Sequence, residues 1–280
     1  MNNTITVFTK SWPEMVPEQL AELALALGVD GIELPVREGY AVNPGNVTKE
    51  LPRAARVFRK RGLVIGSVAG DSDGKTISAC GNAGIPIIRI CVGIDMTIGY
   101  AATERRVRET FDAALPALRK HGVAIGVQNH SDLFIGSAIG LMHLIERYDP
   151  KQICAVLDPA HCAVGGEPEI MALDIVWSHL GMVNLKSASR WRINGPDAEE
   201  ARWVTLWTTA RHSGYSWRAM VKGLHERGYT GPICLPAEYS PPSGSGQLMG
   251  DEVMGLLKRD IEYLKRLLAE VGGVQLMNAP

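Results

Sequence analysis

The sequence predicts a single (β/α)₈ barrel over residues 1–280, and three features carry that prediction. Eight short runs rich in Val and Ile recur along the chain, each followed by an amphipathic stretch, at a spacing of about one strand-plus-helix unit. The runs are apolar almost throughout rather than alternating, which is the pattern of parallel strands covered on both faces. Polar residues end these runs along the whole chain instead of gathering at one crevice, and no GxGxxG turn follows the first run. Both facts count against the rival arrangement, a doubly wound open sheet.

Taken in order, ITVFT (5–9) is the first strand, and Pro17-Glu18-Gln19-Leu20 opens a helix that ends near Gly28, with proline suited to the first turn and glycine to the stop. GIELPV (31–36) precedes a helix at about 48–61, and VIGSVAG (64–70) one at 75–83. After IIRICVG (87–93), Thr103-Glu104 opens a long helix ending at Lys120-His121-Gly122, where the basic residues suit the negative end of the helix dipole. AIGVQN (124–129), CAVLDP (154–159), MVNLKSA (182–188) and ICLPAEY (233–239) complete the strands, with helices at 137–147, 168–180, 216–227 and 251–270. Two stretches break the rhythm: 189–214, and PPSGSG at 241–246. Long connections at the carboxyl ends of barrel strands are where lids and binding loops sit.

Composition narrows the function classes. With 46% hydrophobic residues, 21% charged and a net charge of -1, the chain lacks the basic footprint of nucleic-acid binding; Arg59-Lys60-Arg61 and Arg105-Arg106 lie beside acidic residues on helix faces. The start MNNTITVFTKSW is unlike a signal peptide and no run reaches membrane-spanning length, so the cytosol is the expected compartment and no membrane partner is expected. Five cysteines without CxxC pairs read as reduced thiols. Cys162, beside His161, reads as a small strand-end residue, with a nucleophile as the alternative.

In a barrel, the carboxyl ends of all strands share one face, so residues far apart in sequence become neighbours there. Those ends carry Glu33, then Gln128-Asn129-His130, Asp158 with His161 one turn on, Asn184 and Lys186, and finally Glu238. Such groups are costly to bury unless something polar or metallic meets them, and several can ligate a divalent cation. Each has a plainer reading: Asp158 as a helix cap, His161 as a satisfied core imidazole, Lys186 as the counter-charge of Asp158, Glu33 as an ion-pair member. Glu238, ending the apolar run ICLPA, needs a partner wherever it lies.

At these residues the chain resembles the xylose-isomerase-like barrels, the superfamily of sugar phosphate isomerases and epimerases, inosose dehydratases and endonuclease IV. The likeness runs from LGVDGIEL through GVAIGVQNH and LDPAH to GYSWRAMVKGLHERGYTGPICLPAEY. It implies that Gln128, Asp158, Asn184 and Glu238 stand where the family binds one divalent ion, Mn²⁺ or Mg²⁺. It also matches His161 to a substrate-contacting histidine and Lys186 to the lysine of a His-x-Lys-Asp segment whose first and last residues are here Asn184 and Ser187. Two ligand positions are therefore amides. Gln128 offers a carbonyl oxygen but accepts no proton at neutral pH, so one of two acid/base carboxylates is missing.

The chemistry implied is abstraction of a proton beside the carbonyl of a sugar, keto sugar, sugar phosphate or cyclitol. Glu238 is the expected base, the metal or Lys186 the stabiliser of the enediolate oxygen, and His161 or His130 the proton donor. Glu33, His130, Trp191 and Arg192 are expected to contact substrate, with 189–214 as a lid whose indoles stack on the sugar; packing of Trp191, Trp203 and Trp207 within the loop or at a homo-oligomer interface is the competing reading. One retained carboxylate suits elimination or one-base isomerisation better than two-base epimerisation. The alternative class is a barrel that has lost catalysis and serves in sugar binding or as a partner subunit. The endonuclease branch, which uses several zinc ions held by histidines, fits least, because His121, His143, His179, His212 and His225 fall away from strand ends.

Overall fold

Each of the eight apolar runs supplies a parallel strand, and the strands close on one another into a barrel. The coordinates are a computed structural model describing residues 3–273 except 213 and 245, so Ser245 of the PPSGSG stretch and both extremes of the expected 1–280 domain lie outside the described residues. In chain order the strands are β1 (Ile5–Phe8), β2 (Gly31–Val36), β3 (Val64–Gly70), β4 (Ile87–Cys91), β5 (Ala124–Gln128), β6 (Ile153–Leu157), β7 (Leu180–Asn184), β8 (Ser187–Arg192), β9 (Trp203–Thr208) and β10 (Ile233–Leu235). β1 to β7 run round the barrel in sequence and β10 closes it, Thr6 pairing with Cys234 on one side and with Gly31 on the other. β8 and β9 stand outside as an antiparallel pair, Ala188 opposite Trp207.

The helices are α1 (Pro17–Leu27), α2 (Val47–Arg59), α3 (Gly74–Ala83), α4 (Tyr100–His121), α5 (Ala138–Ile145), α6 (Pro159–Val164), α7 (Glu169–Val176), α8 (Trp217–Glu226) and α9 (Asp251–Val271). Gly28 ends α1 in the left-handed region (φ 64°), which glycine enters without a Cβ penalty. α4 begins at Tyr100, upstream of the expected Thr103-Glu104. Thr103 lies within its first turn, where its hydroxyl donates to the Gly99 carbonyl at 2.9 Å. Among the described residues, no helix is long and apolar enough to cross a membrane.

Two other departures from the sequence expectation bear on the mouth of the barrel. The run MVNLKSA is not one strand: β7 stops at Asn184, the chain leaves the barrel through Leu185 and Lys186, and β8 begins at Ser187. The connection 189–214 is accordingly not irregular throughout but holds most of a β-hairpin, whose alternating Arg and Trp side chains suit a two-stranded ribbon more than a barrel wall. The second departure is α6, which starts directly after Asp158 with Pro159 in its first position.

The core has two parts. The larger lies between strands and helices. The smaller is the barrel lumen, filled by Phe8, Ala69, Ile87, Val156, Met182 and Cys234, each from a different strand. Gly126 of β5 makes that packing possible: a Cβ there would meet Val156 Cγ2 at 2.7 Å and Ile87 Cγ2 at 2.9 Å. Phe8 caps this apolar fill, with the Arg89 guanidinium 4.6 Å above its ring. From there outward the mouth is polar.

Candidate active site

The inner layer of the mouth is an ion pair. Glu33 on β2 is fully buried, and Arg89 on β4 donates to it from Nε and Nη2, both at 2.8 Å, while Ser67 Oγ adds a third bond at 3.0 Å. Burial works against the Arg89 charge, but the Glu33 carboxylate outweighs it and holds the guanidinium above its ordinary range. The free Nη1 donates to Gln128 Oε1 at 2.5 Å, and Gln128 Nε2 donates to Asp158 Oδ2 at 2.7 Å. A glutamine carries both an acceptor and a donor, so Gln128 bridges a guanidinium to a carboxylate; a glutamate could satisfy only the first.

Asp158 ends β6 and serves two neighbours. Its Oδ1 accepts from the Ala160 and His161 amides at 3.1 and 3.4 Å, capping α6, while Oδ2 takes the Gln128 bond and lies 3.4 Å from Lys186 Nζ. Asn129 fixes the Asp158 backbone from the side, accepting from its N–H at 2.8 Å and donating to its carbonyl at 3.0 Å. Lys186 Nζ then donates to Glu238 Oε2 at 2.5 Å, and Lys10 Nζ, just beyond β1, to Oε1 at 2.5 Å. Burial raises the Asp158 carboxyl and Lys186 opposes it. For Glu238 the balance reverses: burial is outweighed by Lys186 and Lys10, which hold it well below the usual carboxylate range. Burial likewise disfavours the Lys186 charge, but Asp158 and Glu238 together raise its pKa. Directly before Glu238, Ala237 takes a left-handed backbone (φ 56°), a conformation costing a non-glycine residue about 1 kcal/mol, and its carbonyl accepts from Ser11 Oγ at 3.2 Å.

His161 sits beside this group on α6. The Ser131 amide donates to its Nδ1 at 3.1 Å, so Nδ1 carries the lone pair and the neutral ring bears its proton on Nε2. That Nε2 is buried without a hydrogen-bond partner, 3.8 Å from Asp158 Oδ2. Burial, reinforced by Lys186 and His130, pushes the His161 pKa far below the ordinary histidine value. The His130 ring stacks on it at 4.0 Å, and Trp207 of β9 meets its edge at 5.1 Å while covering Lys186 Nζ at 4.3 Å. Asn184 Oδ1 and Ser187 Oγ, flanking Lys186 in sequence, are also buried without partners. A cleft of about 690 Å³, bounded by Arg37, Asp71, Arg89, Cys91, His130 and Phe134, opens at the same end and is large enough for a monosaccharide.

Most of the residues expected from the sequence are therefore at the mouth: Glu33, Gln128, His130, Asp158, His161, Asn184, Lys186 and Glu238. Trp191 and Arg192 are not brought to it. Trp191 is 59% exposed near the far end of β8, and Arg192 donates to Asn194 Oδ1 and to the Pro196 and Ala198 carbonyls of the hairpin turn. Sequence reasoning missed Arg89, Lys10 and Ser131. Arg89 did leave a signal, a lone charge inside IIRICVG, and Lys10 stands at a strand end like the residues that were identified.

The donors of Gln128, Asp158, Asn184 and Glu238 do not fit a divalent ion as arranged. The Gln128 oxygen is engaged by Arg89, both Asp158 oxygens accept N–H bonds, and each Glu238 oxygen meets an ammonium, leaving Asn184 Oδ1 as the unpartnered donor of the four. Among the described residues, no three His, Cys, Asp or Glu side chains are grouped to hold a metal ion.

The family described as xylose isomerase-like TIM barrel matches residues 21–267. Among solved structures the chain is similar to an L-ribulose 3-epimerase, with TM-score 0.73 and 14% identity over 99% of this chain and 100% of that one. It is also similar to the 3-keto-D-glucoside 4-epimerase of E. coli, with TM-score 0.70 and 11% identity over 94% and 99%. A third is a xylose isomerase-like TIM barrel protein from Mycobacterium smegmatis in complex with magnesium, with TM-score 0.63 and 15% identity over 95% and 97%. At such identities the shared property is the fold. None of the curated protein sequences matches this chain.

Proposed function

The chain belongs to the xylose isomerase-like TIM barrel family, and we propose that it is a carbohydrate isomerase or epimerase-like enzyme that moves a proton at the carbon next to a carbonyl. The observation that carries this reading is an ionised carboxylate, Glu238, hydrogen-bonded at 2.5 Å to the ammonium of Lys186 at the mouth of the barrel that also holds the unpartnered His161 Nε2–H. The neighbours named as acting on L-ribulose and a 3-keto-D-glucoside support a keto sugar as the substrate class.

In this mechanism Glu238 takes the proton and Lys186 supplies positive charge to the oxygen on which the enediolate develops. The two acts are coupled. While both lysines hold it, Glu238 is a weak base; when Lys186 turns to the substrate oxygen, Glu238 loses one cation and its affinity for a proton rises. His161, neutral and carrying its proton on Nε2, donates a hydrogen bond to a neighbouring substrate oxygen. The raised pKa of Lys186 keeps it an ammonium and sets it against a role as a Schiff-base nucleophile. Asp158 is committed to the α6 cap and Gln128 takes no proton, so one-base transfer, isomerisation or elimination, fits better than two-base epimerisation. A bound Mn²⁺ or Mg²⁺ would polarise the substrate carbonyl as a Lewis acid; the donors do not fit one, and each step above belongs to the chain's own residues.

Gln128, in place of a second acid/base group, favours one other reading, a sugar-binding barrel without turnover. The test is proton exchange: a panel of ketoses and keto sugars in D₂O, followed by NMR, should show enzyme-dependent deuteration beside the carbonyl, and Glu238→Gln should slow it by about 10³-fold. Saturable sugar binding with no exchange would establish the binding reading instead, and exchange unaltered in the variant would remove Glu238 as the base.

A further inference from the structure

We infer that the mouth of this barrel is organised around the Lys186 ammonium in the place of a divalent cation, and that the protein operates with no resident metal. The ammonium bridges two carboxylates from different strand ends, 2.5 Å from Glu238 Oε2 and 3.4 Å from Asp158 Oδ2. A divalent ion shared by those carboxylates would have to enter the space Nζ fills, because metal–oxygen bonds are short, about 2.0–2.6 Å for Mg²⁺ or Ca²⁺.

Charge leads to the same conclusion. The ion-paired network at the mouth joins three carboxylates, Glu33, Asp158 and Glu238, to three cations, Arg89, Lys186 and Lys10, with Arg37 and Asp71 of the cleft rim outside it. The set is neutral as it stands, and a dication would leave two positive charges uncompensated beside a buried ammonium. Gln128 is the residue that makes this balance close. Its amide passes a hydrogen bond from Arg89 to Asp158, whereas a carboxylate there would add a negative charge and repel Asp158 across the 2.7 Å contact. Above, the Trp207 indole lies 4.3 Å from Nζ, which suits an ammonium face-on and takes the space that a hydrated dication would need for its waters.

The experiment needs no substrate, so its failure and the failure of the sugar reading are separate results. Protein purified without chelator from cells supplied with Mn²⁺ is analysed for metal, then titrated with MnCl₂ and MgCl₂ by calorimetry and by Mn²⁺ electron paramagnetic resonance. Wild type should carry well under about 0.1 ion per chain and show no saturable site below about 1 mM, while Gln128→Glu combined with Lys186→Met should bind Mn²⁺ at least about 100-fold more tightly, because affinity follows the number of charged ligands. Stoichiometric Mn²⁺ or Mg²⁺ on wild type with Kd below about 0.1 mM would overturn the inference. So would a folded double variant that binds Mn²⁺ no better than wild type; if that variant does not fold, the wild-type titration decides alone.

Discussion

Glu33, inside β2, and Glu238, three residues past β10, are both mouth carboxylates facing cations, yet they are held in opposite ways. Glu33 is wholly buried, gripped at two points by one planar guanidinium and by a serine hydroxyl. Glu238 keeps 14% of its side chain exposed and meets two separate ammonium groups, one on each oxygen, next to a strained Ala237. A fork fixes the orientation of its partner, whereas a lysine is a point charge on a flexible stem and can change partner. The closed pair is architecture, and the open pair is the one to which the proposed mechanism gives the chemistry.

The largest effect should come from breaking the closed pair. Arg89→Met leaves Glu33 charged and buried, and urea denaturation should show a loss of about 3–5 kcal/mol, while Arg89→Met with Glu33→Leu should recover more than half of it. Equal losses in the single and double variants would show that the pair is not the clamp described.

Asp260 on α9 sharpens the comparison, because it is a buried carboxylate held by neutral donors: the Ala210 amide at 2.9 Å and the Tyr239 hydroxyl at 2.9 Å. Without the ammonium groups that hold Glu238 down, burial dominates and raises its pKa to about 6. Between the unfolded value near 3.8 and about 6 the folded state binds more protons, so this group makes stability fall as pH rises through that window. Asp260→Asn should abolish that slope and be more stable than wild type at pH 8 by on the order of 2–3 kcal/mol, read from unfolding curves at pH 4 and pH 8. The smallest effect tests the strain beside Glu238: Ala237→Gly should raise stability by up to about 1 kcal/mol, since glycine enters the left-handed region freely but loses more entropy on folding. A clear loss of stability would mean that Ala237 is not strained.

The barrel was legible because its signal is periodic: all eight strand runs and the major helices follow from apolar spacing, with most strand ends displaced by a residue or two, while MVNLKSA (182–188) and ICLPAEY (233–239) each stop four residues early, at Asn184 and Leu235. The site was legible to the extent that it consists of polar residues in or just past apolar runs, which is how Gln128, Asp158, Asn184, Lys186 and Glu238 could be named; Glu33, expected at the end of its strand, lies instead within β2. What the sequence did not reveal is who answers whom. The sequence suggests Lys186 as the counter-charge of Asp158, but its shorter contact is to Glu238, 52 residues away and just past β10. Arg89 faces Glu33 because β2 and β4 flank β3, a relation that appears only once the sheet is curved and closed. Trp191 and Arg192 are expected at the site from their place in the long connection after strand seven; in a two-stranded ribbon, distance from the hinge decides which tryptophan arrives, and that is Trp207.

The hairpin departs from the barrel one peptide bond beyond Lys186 and returns with Trp207 opposite Ala188, next to where it started. Both strands of the lever are thus rooted beside the mouth, with the exposed turn as its handle. The Ala210 amide, just past β9, is in turn moored to Asp260 on α9. Shortening or stiffening the ribbon is therefore expected to shift the Trp207 indole that covers Lys186 Nζ at 4.3 Å, even though Trp191 and Arg192, next to the turn, lie away from the mouth.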